Sequence, residues 1–429
     1  MTTDTNPQLL TTVDGVPLKK ALNRAMFRAK TRAFFLVFPL LVFILVTFIA
    51  PIGQMLSRSI SDPRFIIHTE IGTDETTPIM QNVKAWFDAN PAGTEPDEAA
   101  FAALAADMLI LKDLKSAGNV GTRINYELSG SRSMFTKAAR KANSMKAPFK
   151  DVFMDLDKDW ANPELWSVMR NASSYRTDNF YLAAVDRKRG IDGSIEQVPE
   201  NRRVYVQLFI RTLLLSFFIT FTTFVLGYPI AHLLATLPMR YSNLLMIFVL
   251  LPFWTSLLVR TTSWMVLLQS QGVVNDLLVY LGVIDNDGRI QMMYNQIGTV
   301  IAMTHILLPF MVLPLYSVMR TVNPSFVRAA RSLGATSWTA FRRIYFPQTI
   351  PGIGAGALLV FILAVGYYIT PALVGGSDGQ LISNLIAFHM SKSLNWSLAA
   401  ALAAILLGGV LVLYWVYDLL IGIDNLKLG

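Results

Sequence analysis

Six stretches of this chain, at about 33–55, 206–235, 243–268, 297–319, 349–372 and 396–421, are apolar over enough residues to cross a bilayer. A helix needs roughly 20 apolar residues to pass through about 30 Å of hydrocarbon. Runs of this length with so few charges predict an all-α membrane protein.

The charged residues are distributed accordingly. Residues 56–205 hold 20 Lys/Arg and 21 Asp/Glu, whereas residues 206–429 hold 11 and 6, and residues 1–55 hold 6 and 2. A nearly neutral, polar block therefore interrupts an apolar chain. The net charge of +8 invites a nucleic-acid reading. The excess lies at the ends of apolar segments, however, which points to the lipid bilayer and excludes nucleic acid. The chain has no cysteine, so disulfides, thiolate catalysis and cysteine-based metal sites are excluded. The first apolar stretch is too long for the core of a secretory signal and lacks a small-residue cleavage pattern, so it is expected to stay as a span.

The organisation that follows is a cytoplasmic N-terminal tail at 1–32, a first transmembrane helix at 33–55, an extracytoplasmic insertion domain at 56–205 and a five-helix transmembrane core at 206–429. Lys19, Lys20, Arg24, Arg28, Lys30 and Arg32 precede the first span and should keep the N-terminus inside. With that start, the short loop carrying Arg240 and the loop 320–347 both fall inside. The stretch with Asp276, Asp285 and Asp287 falls outside, and both termini are cytoplasmic. The insertion reads as mostly helical. One helix opens at Thr94 and Pro96 and sets Phe101, Leu104, Met108 and Leu111 on one face. Another lies around Pro163 to Met169, with Trp160 and Trp166 nearby, and loops are expected at Gly118–Gly121 and Arg189–Gly193.

The loop 320–347 carries Arg320, Arg328, Arg331, Arg342 and Arg343 and no acid. Its residues predict a short helix begun at Pro324, a break at Gly334, and a second helix stopped near Pro347. Phe341, Ile344 and Tyr345 share one face of that second helix, and exposed apolar groups on a helix pair suit a groove on a partner protein.

The same loop resembles the EAA motif of ABC importer permeases. Ala329, Ala330, Gly334, Ile344, Phe346 and Pro347 stand at the spacing of that motif, while Arg328 takes the place where the family usually has Glu. Leu251 to Arg260, then Gly272-Val273-Val274-Asn275, and Thr370 to Gly376 are similar to the spermidine/putrescine class of these permeases. The resemblance covers the first span and about 205–425, and leaves the block 56–205 without a counterpart. It implies six transmembrane helices of the type I importer fold in a bacterial inner membrane. It also implies an ATPase-coupling loop built on Arg328, Ala329, Ala330, Gly334, Phe341, Ile344 and Pro347. The implied partners are an ATP-binding subunit dimer, a second permease subunit and an extracytoplasmic solute-binding protein. No cofactor binds this chain; ATP and Mg are used by the partner ATPase, in keeping with the absence of any Gly-Lys-Ser or Gly-Lys-Thr phosphate loop.

The implied cargo is a small organic cation such as putrescine or spermidine; an amino-acid derivative or opine-like solute is the alternative in the same class. Candidate path residues are Trp254, Trp264, Tyr367 and Tyr368 by cation–π contact, Arg260 as an ionisable group at membrane depth, and Asp378 on a glycine-flanked loop. Packing, interface anchoring and a solvated loop acid are the competing readings of these residues. His232 and His305 read as helix-contact residues, and Gly352 and Gly356 as a close-packing pair. An ion-coupled secondary transporter would show repeated halves and an intramembrane charge relay, and neither is seen. A membrane enzyme would need a histidine cluster or a serine–histidine pair, which His68, His232, His305 and His389 do not form.

Overall fold

The computed structural model describes residues 18–70, 72 and 75–421. Most of the tail expected at 1–32, and the chain after Ile421, lie outside the described residues. Of the basic cluster before the first span, the side chains of Lys30 and Arg32 are described. The chain divides into two compact units, Met1–Ser57 and Arg58–Gly429.

The described residues of the first unit are helical. Helices α1 (Leu18–Ile44) and α2 (Ala50–Arg58) are joined by a π turn, Leu45–Ile49. The helix thus begins well before the span placed at 33–55 and runs past it. The π turn sits directly ahead of Pro51. There the Ala50 N–H reaches back to Leu45 O, a wider turn that admits a proline ring without ending the helix. Ala29–Arg58 is apolar and long enough to cross a membrane.

The second unit opens with a helical body. A hairpin of β1 (Ile67–Thr69) and β2 (Thr76–Pro78) leads into α3 (Gln81–Ala89), α4 (Glu98–Asp113), α5 (Ala117–Asn125), α6 (Ser131–Lys141), α7 (Phe149–Leu156), α8 (Pro163–Ala172) and α9 (Asn179–Ala184). A second hairpin, β3 (Arg187–Arg189) with β4 (Ile195–Gln197), closes it. Helix α4 does not open at Thr94 and Pro96. Asp97 caps it by accepting from Ala100 N at 2.9 Å, and the residues before it stay extended. Its Phe101, Leu104, Met108 and Leu111 are fully buried, as the helical spacing requires. Phe101 meets Phe153 at 5.7 Å and Trp166 at 5.2 Å, and Phe153 in turn meets Trp160 at 5.0 Å. Each such aromatic contributes about 2–3 kcal/mol of burial. The loop expected at Gly118–Gly121 is instead helix α5. Gly121 is there for proximity: a Cβ on it would lie 2.8 Å from Arg132 Cα, so α5 and α6 pack with backbones nearly touching.

The body is followed by α10 (Tyr205–Thr236), α11 (Met239–Trp254), α12 (Leu257–Leu268), α13 (Val273–Tyr280), α14 (Gln296–Thr321), α15 (Pro324–Ser332), α16 (Ser337–Ala340), α17 (Phe346–Gly366), α18 (Ile369–Val374), α19 (Ile382–Ser391) and α20 (Trp396–Ile421). Among the described residues five helices can cross a membrane, or six if the bent pair α11 with α12–α13 is counted as one. That pair corrects the straight span expected at 243–268: the chain bends by 98° between Trp254 and Leu257. The cause is local. Pro252 cannot donate in the last turn of α11, and Ser256 then caps a new helix by accepting from Val259 N.

Helices α10, α14 and α17 form the centre of the bundle, with Ile219, Met303, Leu307, Met311, Val312, Leu315, Val360 and Ala364 fully buried between them. Gly352 and Gly356 make that packing possible. A Cβ at Gly352 would lie 2.9 Å from Val318 Cβ, and one at Gly356 2.8 Å from Met311 Sδ. The helical body is joined to this bundle rather than strung beside it. Phe180 and Ala184 of α9 pack with Leu208, Ile382, Leu398 and Leu402.

Candidate functional site

The turn between α14 and α17 is built in steps. Asn323 caps α15 by accepting from Ser325 N at 2.9 Å, with Pro324 in the first turn where its missing N–H costs nothing. Gly334 stops α15 with φ at +90°, and Ala335 N donates back to Ala330 O at 3.1 Å. This is a left-handed helix end, which a residue with a Cβ resists. Thr336 then caps α16 by accepting from Thr339 N.

Two expectations for this turn fail. The second helix does not stop at Pro347; Ser337–Gly366 runs on as one membrane-length helix. A π turn at Phe341–Tyr345 widens the helix before the proline, as another does before Pro51, and Gln348 Nε2 donates to Ile344 O at 2.7 Å in the region the proline leaves unbonded. Phe341 and Tyr345 also do not form an exposed docking face. They turn inward against α10, where the His232 ring lies 6.0 Å from Phe341 and 5.0 Å from Tyr345. Tyr345 is buried, and Phe341 and Ile344 are half-buried. The apolar side chains that the turn does expose are Phe326, Trp338 and, at 89% exposure, Leu333. Trp338 stacks on Phe341 at 5.8 Å, which holds the exposed ring in place. Sequence reasoning passed over all three because it followed helical spacing, whereas Leu333 stands at the break and Trp338 within the first turn after it. Arg328 and Ala329 are exposed, and Ala330 is half-buried.

At the other end of the bundle the bend gathers polar groups. Trp264 Nε1 donates to His305 Nδ1 at 3.1 Å, and the two rings lie 5.3 Å apart. The hydroxyls of Thr261 and Thr370 meet at 3.2 Å, tying α12 to α18. Arg260 precedes Trp264 by one turn on α12, and its Nε is buried without a hydrogen-bond partner among the described residues. Trp264 and His305 thus form a contact pair beside the Thr261–Thr370 tie, while the Tyr367 carbonyl accepts from Ser383. Trp254, 74% exposed, stands at the bend itself. Tyr368, next in sequence to Tyr367, is exposed, and its carbonyl accepts from Asn384. Asp378 is exposed and accepts only from Ser377 of its own loop among the described residues. It takes no part in these contacts. A largely apolar cleft lined by Leu234, Phe248, Pro252, His305 and Pro309 runs below the bend.

Comparison with known proteins identifies the architecture. Residues 224–421 match the family model described as binding-protein-dependent transport system inner membrane component. Over 215 residues the chain is 38% identical to the spermidine/putrescine transport system permease protein PotB of Salmonella typhimurium, covering 49% of this chain and 74% of that protein. The protein of the same name from Haemophilus influenzae is 34% identical, covering 50% and 74%. The chain belongs to the family of binding-protein-dependent transport system inner membrane components.

As a member of that family it is a multi-pass membrane permease of an ABC importer, a transport subunit rather than an enzyme. The family match begins at Phe224, within α10, and so takes in both the turn 320–347 and the bend that holds Arg260. The helical body at 59–202 lies wholly before the matched residues.

Proposed function

We propose that this permease passes a polyamine such as putrescine or spermidine into the cell. The observation that carries this reading is the 38% identity to a permease named for spermidine and putrescine, over 74% of that protein's length. The reading sets both termini in the cytoplasm and the helical body outside, so that Arg320, Arg328, Arg331, Arg342 and Arg343 lie on the inner side as the charge bias of membrane proteins requires. A solute-binding protein delivers the cargo from outside, and a second permease subunit completes the path.

In this reading the turn 320–347 engages the ATP-binding subunit. Leu333, Trp338 and Phe326 are the groups that enter its groove, supported by their exposure on an otherwise capped and rigid turn. Arg328, in place of the usual Glu, reverses the charge of one contact. ATP and Mg are used by the ATP-binding dimer. Its closure moves the turn, and α17 transmits the motion without a joint because the π turn at 341–345 keeps the helix continuous into the membrane. The permease then shifts between inward and outward access, each state favoured by different contacts. Trp254, Trp264, Tyr367 and Tyr368 offer a cation aromatic faces, and the binding protein makes the first selection of the cargo.

The test is uptake of labelled putrescine, spermidine, amino acids and opines by cells expressing the complete importer, with Gly334→Asp as control. Polyamine uptake that disappears in Gly334→Asp supports both the cargo and the coupling turn. Normal uptake in that variant overturns the coupling role, and uptake of another solute alone overturns the polyamine.

A further inference from the structure

Arg260 lies in the first turns of α12, on the leg that turns off from α11 at 98°. Its side chain is half-buried, and its Nε is buried with no hydrogen-bond partner. One turn further along α12, Trp264 bonds to His305 at 3.1 Å, and His305 lies about 14 Å along α14 from Gln296, well inside the ~30 Å thickness of a hydrocarbon layer. A guanidinium held at that depth is costly unless a carboxylate faces it.

Among the described residues none does so. The acids after residue 205 are Asp276, Asp285, Asp287, Asp378, Asp418 and Asp424. Asp276 is bound to Arg289 at 2.8 Å, and Asp285, Asp287 and Asp378 are exposed on loops. Asp418 is near the far end of α20, and Asp424 lies outside the described residues. No ion pair reaches Arg260 among the described residues. A polyamine cannot supply the missing charge either, because it carries only ammonium groups.

We propose that Arg260 pairs with a carboxylate on a membrane helix of the second permease subunit, across the translocation path, and that the ammonium of the cargo competes with Arg260 for that carboxylate. This rests on the reading of the chain as one of two permeases in a polyamine importer. The face of α12 beside Arg260 favours such a partner: Leu258, Val259 and Val266 are each more than half exposed, an apolar border with the unpaired charge on it. Charge complementarity defines the opposite surface as an acid within apolar neighbours. The pair closes the path when it is empty. An arriving ammonium takes the carboxylate over and releases Arg260, which repels the cation onward. The path thereby recognises a polycation although this subunit contributes no acid to it.

The chain contains no cysteine, so Arg260→Cys introduces its single thiol. The complete importer in native membranes, with a cysteine-free second permease, is given one cysteine in turn at each Asp and Glu of that subunit's spans, and treated with a bis-methanethiosulfonate reagent of about 8 Å reach, because an arginine and its acid hold their backbones beyond the roughly 7 Å that a direct disulfide bridges. A cross-link at one position is expected, and cross-links at none overturn the proposal. Uptake gives an independent reading. Arg260→Lys is expected to retain transport, and Arg260→Glu to lose at least about thirtyfold, as for one broken member of a buried charge pair. Changing the cross-linked acid to Arg in the Arg260→Glu background should restore uptake. Wild-type uptake in Arg260→Glu, or no recovery in the swapped pair while the complex assembles in wild-type amount, overturns the proposal. Cross-linking needs no cargo, so a complex that forms the cross-link but imports no polyamine refutes the cargo and leaves the ion pair standing.

Discussion

Asp186 accepts from the backbone N–H of Val206 at 2.8 Å through Oδ2, while its Oδ1 accepts from Val204 and Tyr205 at 3.1 Å each. One buried carboxylate from the helical body thus satisfies three donors at the start of a membrane helix, where the helix dipole also favours negative charge. The joint is widened by Phe180 and Ala184 packing on Leu208 and Leu398, by Tyr126 Oη donating to Leu394 O at 2.8 Å, and by Ser397 Oγ donating to Ser61 O at 3.2 Å. Asp186→Ala is expected to cost about 1–2 kcal/mol, as the loss of a helix cap does. Deleting 75–190 removes the cap and α9 together and is expected to prevent accumulation of the permease. Membrane-fraction yield and thermal unfolding in detergent check both; a stable, abundant deletion protein would show that the bundle does not need the joint.

The exposed and inward faces of the arginine-rich turn should separate in experiment. Trp338→Ala and Leu333→Asp change only exposed groups and are expected to reduce uptake about tenfold or more, with unfolding temperature unchanged. Phe341→Ala removes a ring packed on Tyr228, His232 and Phe346. It is expected to cost about 2–3 kcal/mol of stability. Equal losses of stability in all three variants would contradict the division of faces.

Asp107 is fully buried and takes N–H donors from Asn82 and Val83, closing the start of α3. Burial raises its carboxyl above the usual range, and these hydrogen bonds pull it down. A raised acid in the folded state keeps its proton where the unfolded chain has lost it, so its contribution to stability is greatest at low pH. That contribution declines as pH rises from about 4, the unfolded value, through the folded one. The deficit of Asp107→Asn relative to wild type should therefore be largest near the acid end and narrow toward neutrality. Unfolding temperatures measured across that range decide the sign; a deficit that widens with pH refutes it.

Gly352 faces Val318 with no room for a methyl group. Gly352→Val should force α14 and α17 apart, costing about 1–3 kcal/mol as overpacking does. Gly408→Val should be silent, because nothing lies within 4 Å of the place a Cβ would take there. Comparing detergent-solubilised yield and unfolding temperature of the two variants tests whether proximity, rather than glycine content, matters here.

Much of this protein was written in its linear order. Apolar runs of bilayer length specify membrane helices wherever they occur, because no other local structure satisfies their backbone in lipid. The spacing of Ala329, Ala330, Gly334, Ile344 and Pro347 marked the turn that the family shares, since a left-handed break needs glycine at one position. Phe101, Leu104, Met108 and Leu111 declared a buried helix face through their period alone. What tertiary structure decided lies where a local signal had two outcomes. Pro347 could stop a helix or be absorbed by a π turn, and packing of Phe341 and Tyr345 on α10 chose the second. Pro252 could kink a span or break it, and the cap at Ser256 with the Thr261–Thr370 contact made it a 98° bend. The bond of Trp264 to His305 had no sequence signal, because separate helices supply the two rings and only the folded bundle brings them together.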